Sequence, residues 1–255
     1  MIIKGQNVKI GKSNVRLGEN IVIGDNSVIE DRVSIGGRVK IGRNVIIKSG
    51  TYIGDGAIIE DNTILGYRHI TKYIKRNFRK DIHIGKKVLI RNNCVLYIGV
   101  SIGERTKINH NVVIREGTSV GKDSSIGNFT VLEGHLEIGD CTSIFSNVHI
   151  SPFSKIGNFV FVGPGVVTTN DYHLTYARKK LERKTKFQGP LIEDGARIGG
   201  GVVLMPKVKI GKEAVIGAGS FVSEEIPAFK VAMGWPARII KDVVPDEYIT
   251  KKWKR

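Results

Sequence analysis

The stretch Ile102-Gly-Glu-Arg-Thr-Lys-Ile108-Asn-His-Asn-Val-Val-Ile114-Arg-Glu-Gly-Thr-Ser-Val120-Gly-Lys-Asp-Ser-Ser-Ile126 places an aliphatic side chain at every sixth position. The same interval runs back from Leu65 through Ile59, Ile53, Ile47, Ile41, Ile35, Ile29 and Ile23 to Leu17. It resumes at Ile84 and holds to Val162, then returns from Ile192 to Val222. All twenty-nine of these lattice positions are Ile, Leu or Val. The residue four after each is mostly small or β-branched, as at Val39, Thr106, Val112, Ser124 and Thr130, and the residue one after is often Gly.

A period of six suits neither the 3.6-residue turn of a helix nor a hairpin meander. It suits a very short strand followed by a corner, because positions two apart on a strand share a side. One large and one small inward residue per side wind the chain around a narrow triangular prism. At three repeats per coil the lattice predicts nine to ten coils, a rod on the order of 45 Å at about 4.8 Å per coil.

Composition agrees. Glycine is abundant at 31 residues and aromatics are scarce at 7%, as short strands and tight turns require. The formal charge of +16 points to anionic company, either phosphorylated ligands, nucleic acid or an acidic surface, although a lysine-rich solvated surface is the plain alternative. Two cysteines, Cys94 and Cys141, make no disulfide framework. With no signal-peptide profile and no bilayer-length apolar stretch, the chain is expected to be cytoplasmic and not to engage a membrane.

The pattern resembles that of the hexapeptide-repeat proteins. That resemblance implies an all-β, left-handed parallel β-helix over residues 1–225, with loop insertions at 66–83 and 168–191, and a cap with a short helix over 226–255. The left hand comes from the family, since spacing alone does not give it. The insertions carry basic runs: Lys72, Lys75, Arg76, Arg79 and Lys80 in the first, and Arg178, Lys179, Lys180, Arg183, Lys184 and Lys186 in the second.

The ending Val231-Ala-Met-Gly234-Trp-Pro236-Ala-Arg238 resembles the closing motif of hexapeptide acyltransferases. Ile198-Gly-Gly-Gly201 and Ile216-Gly-Ala-Gly219 resemble their cofactor-binding coils. In that family the pantetheine arm lies along such coils in the groove between two subunits of a trimer. The resemblance therefore implies acetyl-CoA, or another acyl-CoA, held near Gly199, Gly200, Gly217 and Ala218. Trp235 would stack on the adenine, and Lys230, Arg238 and Lys241 would meet the phosphates. Corner glycines are also required by the fold itself, so they are weaker signals than the closing motif.

A neutral imidazole is the natural general base for an amine or hydroxyl attacking a thioester. The run Gly163-Pro164-Gly165-Val166 followed by Asn170-Asp171-Tyr172-His173 resembles the base region of maltose- and galactoside-type acetyltransferases, which have Asn where Gly165 stands. That resemblance gives His173 the base position. The Asn170-Asp171 pair and the central runs Asn109-His110-Asn111, Arg115-Glu116, Glu133 and Asn147-Val148-His149 resemble nucleotide-sugar N-acyltransferases. They imply His173, His110 and Glu133 as catalytic candidates. Asn109, Arg115, Glu116, His135, Asn147, His149, Asn170 and Asp171 are the corresponding acceptor-binding candidates. Residues 18 apart stack, so Arg115 beside Glu133 is equally readable as a structural ion pair on an outer face.

The expected activity is therefore acyl transfer from acetyl-CoA, in a ternary complex, to the amine of a nucleotide-linked sugar such as a UDP- or dTDP-amino sugar. O-acylation of a sugar, serine or other alcohol is the alternative. No metal is expected: a γ-class carbonic anhydrase shares the fold, but the spacings between His110, His135 and His149 do not match its ligands. A basic rod that binds nucleic acid is the remaining rival, disfavoured because the basic runs lack interleaved aromatics.

Overall fold

A computed structural model describes residues 1–68, 80–174 and 187–252. The basic residues named above in the two insertions, other than Lys80, lie outside these. The chain winds into a three-sided parallel β-solenoid whose strands are mostly two residues long, such as Lys107–Ile108, Val113–Ile114 and Ser119–Val120. These three lie on the first, second and third faces, which carry 13, 11 and 10 strands respectively.

Each coil places a lattice aliphatic on its equivalent in the next. Ile108 pairs with Ile126 and Ile126 with Ile144 on the first face, Ile114 with Leu132 on the second, and Val120 with Ile138 on the third. These side chains are at most 4% exposed. Burying each contributes about 1.5–3 kcal/mol. Between faces, small residues fill the slots where the chain bends, and their hydroxyls bond along the axis. The Oγ1 of Thr106 donates to the Gly121 carbonyl at 2.6 Å and accepts from Ser124 N at 3.1 Å, and Ser124 Oγ repeats the pattern with Gly139 and Thr142. This ladder satisfies the buried polar groups that a bend would otherwise strand.

The rod is longer than nine to ten coils. Twelve strands of the first face run parallel, with an antiparallel thirteenth, Ala237–Asp242, at the end. The spacing then gives roughly 50 Å of stacked coils. The additional strands escaped an aliphatic count for physical reasons. Ile2–Lys4 and Lys9–Ile10 precede a one-residue slip before Leu17, Val167–Thr168 has Thr168 as its inward residue, and Lys230–Gly234 stacks Ala232 on Ile216. The helical turn Ile249–Lys252 is capped by Glu213, which accepts from the Ile249 and Thr250 amides at 3.0 and 2.7 Å.

Two features position a site. Both insertions leave the rod at the same edge: each departs from a second-face strand, Ile64–Tyr67 or Val167–Thr168, and returns on a third-face strand, Ile82–Ile84 or Leu191–Ile192. The register passes over both, with Ile53 paired to Ile84 and Ile156 to Ile192. In addition, the second face is apolar outside as well as inside. Above Lys9 its outward column reads Val28, Ile46, Ile64, Val95, Val113, Val131, His149, Val167, Val203 and Phe221. The outward column of the third face is mostly polar instead: Arg16, Ser34, Tyr52, His83, Ser101, Ser119, Glu137, Lys155, Leu191 and Lys209. Among the described residues no helix is long and apolar enough to cross a membrane.

Removing one step of the inward stack has a defined cost. Ile126→Ala is expected to lower unfolding free energy by about 2–5 kcal/mol, measured by urea denaturation, whereas Ser125→Ala beside it, facing outward, should stay within about 0.5 kcal/mol.

Candidate functional site

The edge between the first and second faces carries a column of turn residues, one per coil, three positions after the lattice aliphatic. In the lower and middle coils it reads Asn7, Asn26, Asn44, Asn62, Asn93, Asn111, Phe129 and Asn147, all with φ between +56° and +63°. Above Asn147 it becomes Gly165, Gly201 and Gly219, with φ of +70°, +68° and +71°. The backbone conformation hardly changes, and asparagine tolerates it. Positive φ therefore does not by itself demand glycine here; what changes is that the side chain is gone.

A Cβ at Gly201 or Gly219 would have no heavy atom within 4 Å. Three successive coils thus expose bare backbone along one edge, about 14 Å at the coil spacing. Asn147 bounds the strip below. Above it stands Trp235, 72% exposed, with Nε1 donating to the Gly219 carbonyl at 2.9 Å and the ring stacked on Phe221 at 4.7 Å. Gly199 and Gly217 are a different case: a Cβ there would lie 2.5 Å from Ala218 N and 2.8 Å from Met233 Cβ, so close stacking requires both glycines. Gly200 and Ala218 lie at the tips of the same turns. Gly165, Gly201 and Gly219 are the residues that the motif reading did not single out as ligands, and comparing one corner position across all coils would have found them.

Of the basic candidates near Trp235, Lys230 pairs with Asp242, and Arg238 lies 3.9 Å from Glu224. Lys241 is exposed on the closing hairpin, opposite Val231.

The remaining candidates divide between two edges. Asn109, His110 and Asn147 lie on the first–second edge; the His110 amide donates to Asn128 Oδ1 at 3.0 Å, and Asn109 Nδ2 to the Ile126 carbonyl at 2.9 Å. On the second–third edge lie Arg115, Glu116, Glu133, His135, Asn170, Asp171 and His173. Arg115 stands at this corner rather than on a flat face. It forks onto Glu116 at 3.1 and 3.2 Å and reaches Glu133 at 2.9 Å, and its guanidinium lies 5.8 Å from the centre of the Tyr97 ring. Burial raises the Tyr97 phenol, with Arg115 opposing and the Tyr67, Glu116 and Glu133 charges adding to the rise. Tyr67 meets Tyr97 edge-on at 5.0 Å, directly where the first insertion departs. Neither tyrosine was anticipated, since each lies where the lattice is about to break or shift.

His135 stacks on Phe153 at 5.4 Å. Asp171 is buried and caps the turn into the second insertion, with its Oδ1 accepting from the His173 amide at 2.9 Å, which leaves His173 exposed. His149 lies on the second face between the two edges, paired with Val131 and Val167. Within one chain, His110 and His173 therefore stand on opposite edges of the same face. Among the described residues no group of three or more His, Cys, Asp or Glu could hold a metal ion.

With this geometry in place, comparisons with known proteins are informative. The family model described as "Bacterial transferase hexapeptide (six repeats)" matches residues 99–134 and 189–224, and that described as "Hexapeptide repeat of succinyl-transferase" matches 32–67. The galactoside O-acetyltransferase of Lactococcus lactis subsp. lactis (strain IL1403) is 30% identical over 113 residues, covering 43% of this chain and 55% of that protein. The serine acetyltransferase of Buchnera aphidicola subsp. Schizaphis graminum (strain Sg) is 30% identical over 113 residues, covering 40% of this chain and 43% of that protein. The chain thus spans about half the length of these curated relatives. Among solved structures, LpxA from Acinetobacter baumannii aligns with a TM-score of 0.50 at 18% identity, covering 99% of this chain and 78% of that chain, a likeness of fold.

Cys94 is wholly buried, its Sγ donates to the Asn109 carbonyl at 2.9 Å, and burial pushes its thiol up to about 11. It should stay unmodified by a thiol-reactive chromophore at pH 8 in the native protein and react fully in denaturant. Because the folded thiol holds its proton more tightly than the unfolded one, Cys94 costs no stability below pH 9. The native state should weaken as pH climbs from about 9 toward 11, and Cys94→Ala should remove that component from a pH-resolved denaturation series.

Proposed function

We propose that this hexapeptide-repeat protein is a cytoplasmic acyltransferase that binds acetyl-CoA, or another acyl-CoA, along the bare strip of Gly165, Gly201 and Gly219 and passes its acyl group to a small acceptor. The observation that carries this reading is the loss of side chains at one corner position in three consecutive coils, where eight coils below keep Asn or Phe at the same backbone conformation. An extended pantetheine arm, about 15–18 Å with backbone-like bonds, matches that strip. The Gly165, Gly201 and Gly219 amides already donate to the Ser146, Pro164 and Gly200 carbonyls, so the turn-tip amides of Gly200 and Ala218 and the Gly165 and Gly201 carbonyls are the groups that suit its two amide groups. Trp235 stands at the upper end to stack the adenine, with Arg238 and Lys241 on the adjoining hairpin for the phosphates and Lys230 available if Asp242 releases it. The relatives named as acetyltransferases support the same chemistry.

The apolar outer column of the second face supports a homotrimer packed around it. With that face turned toward a threefold axis, the first–second edge of one copy lies against the second–third edge of the next. His110 and Asn147 of one subunit then approach Glu133, Arg115, Asp171 and His173 of another, which reconciles the two separated clusters. In this arrangement His173, held by the Asp171 turn, accepts the proton from the acceptor as it attacks the thioester carbonyl, and the coenzyme A thiolate leaves. His110 serves as the second imidazole at the same seam, with Glu133 orienting the acceptor. The buried Cys94 is inaccessible and protonated, which supports direct transfer in a ternary complex.

For the acceptor we favour the amine of a UDP- or dTDP-linked sugar, given a half-buried cluster of two carboxylates around one guanidinium with an overall negative charge, suited to an ammonium. The names of the galactoside and serine acetyltransferase relatives favour O-acylation as the second reading.

Gly201→Asn and Gly219→Asn adopt a turn that the chain already uses at Asn111 and Asn147, so their melting temperatures should stay within a few degrees of wild type. Coenzyme A affinity, read by isothermal titration calorimetry, should fall at least about tenfold; undiminished binding would refute the groove assignment. In a thiol-release assay against UDP- and dTDP-amino sugars, serine and galactosides, His173→Ala or His110→Ala should lower kcat by about 10²–10⁴. Turnover of the hydroxyl acceptors alone would select O-acylation.

A further inference from the structure

We infer that the donor carries an acyl chain longer than acetyl, and that an exposed aromatic ledge formed by Phe145 and Phe161 at the lower end of the bare strip receives it. This inference rests on the acyltransferase reading above.

Aromatic residues are few in this chain, yet Phe129, Phe145 and Phe161 lie in neighbouring coils at one edge, 60%, 46% and 37% exposed. Phe145 follows the lattice residue Ile144 directly. The residues equivalent to it are Asn109 and Gly127 below and Gly163, Gly199 and Gly217 above, so it is the one large apolar side chain in that part of the column. One coil below, a Cβ at Gly127 would approach the Phe145 carbonyl carbon to 2.3 Å, so that coil keeps glycine. A phenylalanine is tolerated only by turning outward, where its ring meets Phe161 at 4.9 Å, inclined by 50°. Phe161 is the outward residue of the first face one coil higher, paired with Ser143 below and Arg197 above. The two rings therefore form an apolar island between polar neighbours, outside the apolar second face and round the corner from it.

The place of this island identifies its occupant. A thioester whose adenine is anchored at Trp235 descends past Gly219, Gly201 and Gly165, and its sulfur arrives at the coil of Phe145 and Asn147, four coils or about 19 Å below. An acetyl group ends there. A longer aliphatic chain continues across the corner onto the two rings, and Phe129, one coil lower on the other side of the same corner, closes the path toward the second face. Each fully buried methylene strengthens binding about fourfold.

The test needs no acceptor. Dissociation constants of free coenzyme A, acetyl-CoA and butyryl-CoA are measured by calorimetry on the intact protein and on Phe145→Ser, Phe161→Ser and the conservative Phe161→Leu, with melting temperatures recorded for each. Wild type should bind butyryl-CoA about 4- to 16-fold more tightly than acetyl-CoA. Both Ser variants should bring that ratio to within twofold of one, and Phe161→Leu should keep most of it. A wild-type ratio near one, with free coenzyme A bound, overturns the ledge and leaves the groove standing. A ratio unchanged in both Ser variants overturns it equally. Failure to bind free coenzyme A removes the groove and the ledge together.

Discussion

Eighteen residues must close one coil, because only then does each inward aliphatic meet its equivalent one strand spacing away. Every other feature of the molecule answers to this closure. It sets strands too short to twist, corners that turn within four residues, and small or glycine residues wherever one coil's backbone would collide with a Cβ of the next. Gly121, whose Cβ would lie 2.5 Å from the backbone of the coil above, illustrates the last requirement. The Thr106–Ser124–Thr142 ladder shows how polar groups survive inside such a column, each hydroxyl donating to a carbonyl and receiving the amide of the next coil.

The closure rule also explains which parts of the structure were legible in the sequence. A strict repeat of Ile, Leu and Val declares itself, and with it the three-sided rod and the sense of which side chains point in. Coils whose inward residue is not aliphatic are silent, as with Thr168 and Ala232, and a one-residue slip hides the first strands before Leu17. Glu213 as the cap of the terminal helical turn was equally hidden, since a buried carboxylate reaching a segment 36 residues later leaves no local trace. The contact between Arg115 and Glu133 followed from spacing alone; the buried Glu116 fork and the Tyr67–Tyr97 pair did not, because they depend on corner geometry at the point where an insertion begins.

For the candidate site the distinction is between necessity and surplus. Gly199 and Gly217 match a motif but are obligatory for stacking, so they carry little information about a ligand. Gly165, Gly201 and Gly219 match less visibly and carry more, because asparagine does their backbone work in other coils. Histidines present the reverse problem. The sequence offers several, and a single chain separates the leading two across a face whose own outer surface is apolar.

Both insertions spring from one edge and rejoin the rod in perfect step. Because the lattice register is kept across each departure, the number of residues in between does not set the pairing of Ile53 with Ile84 or of Ile156 with Ile192. The rod can therefore keep its stacking constant while the intervening segments vary, much as a tool keeps its handle and changes its bit.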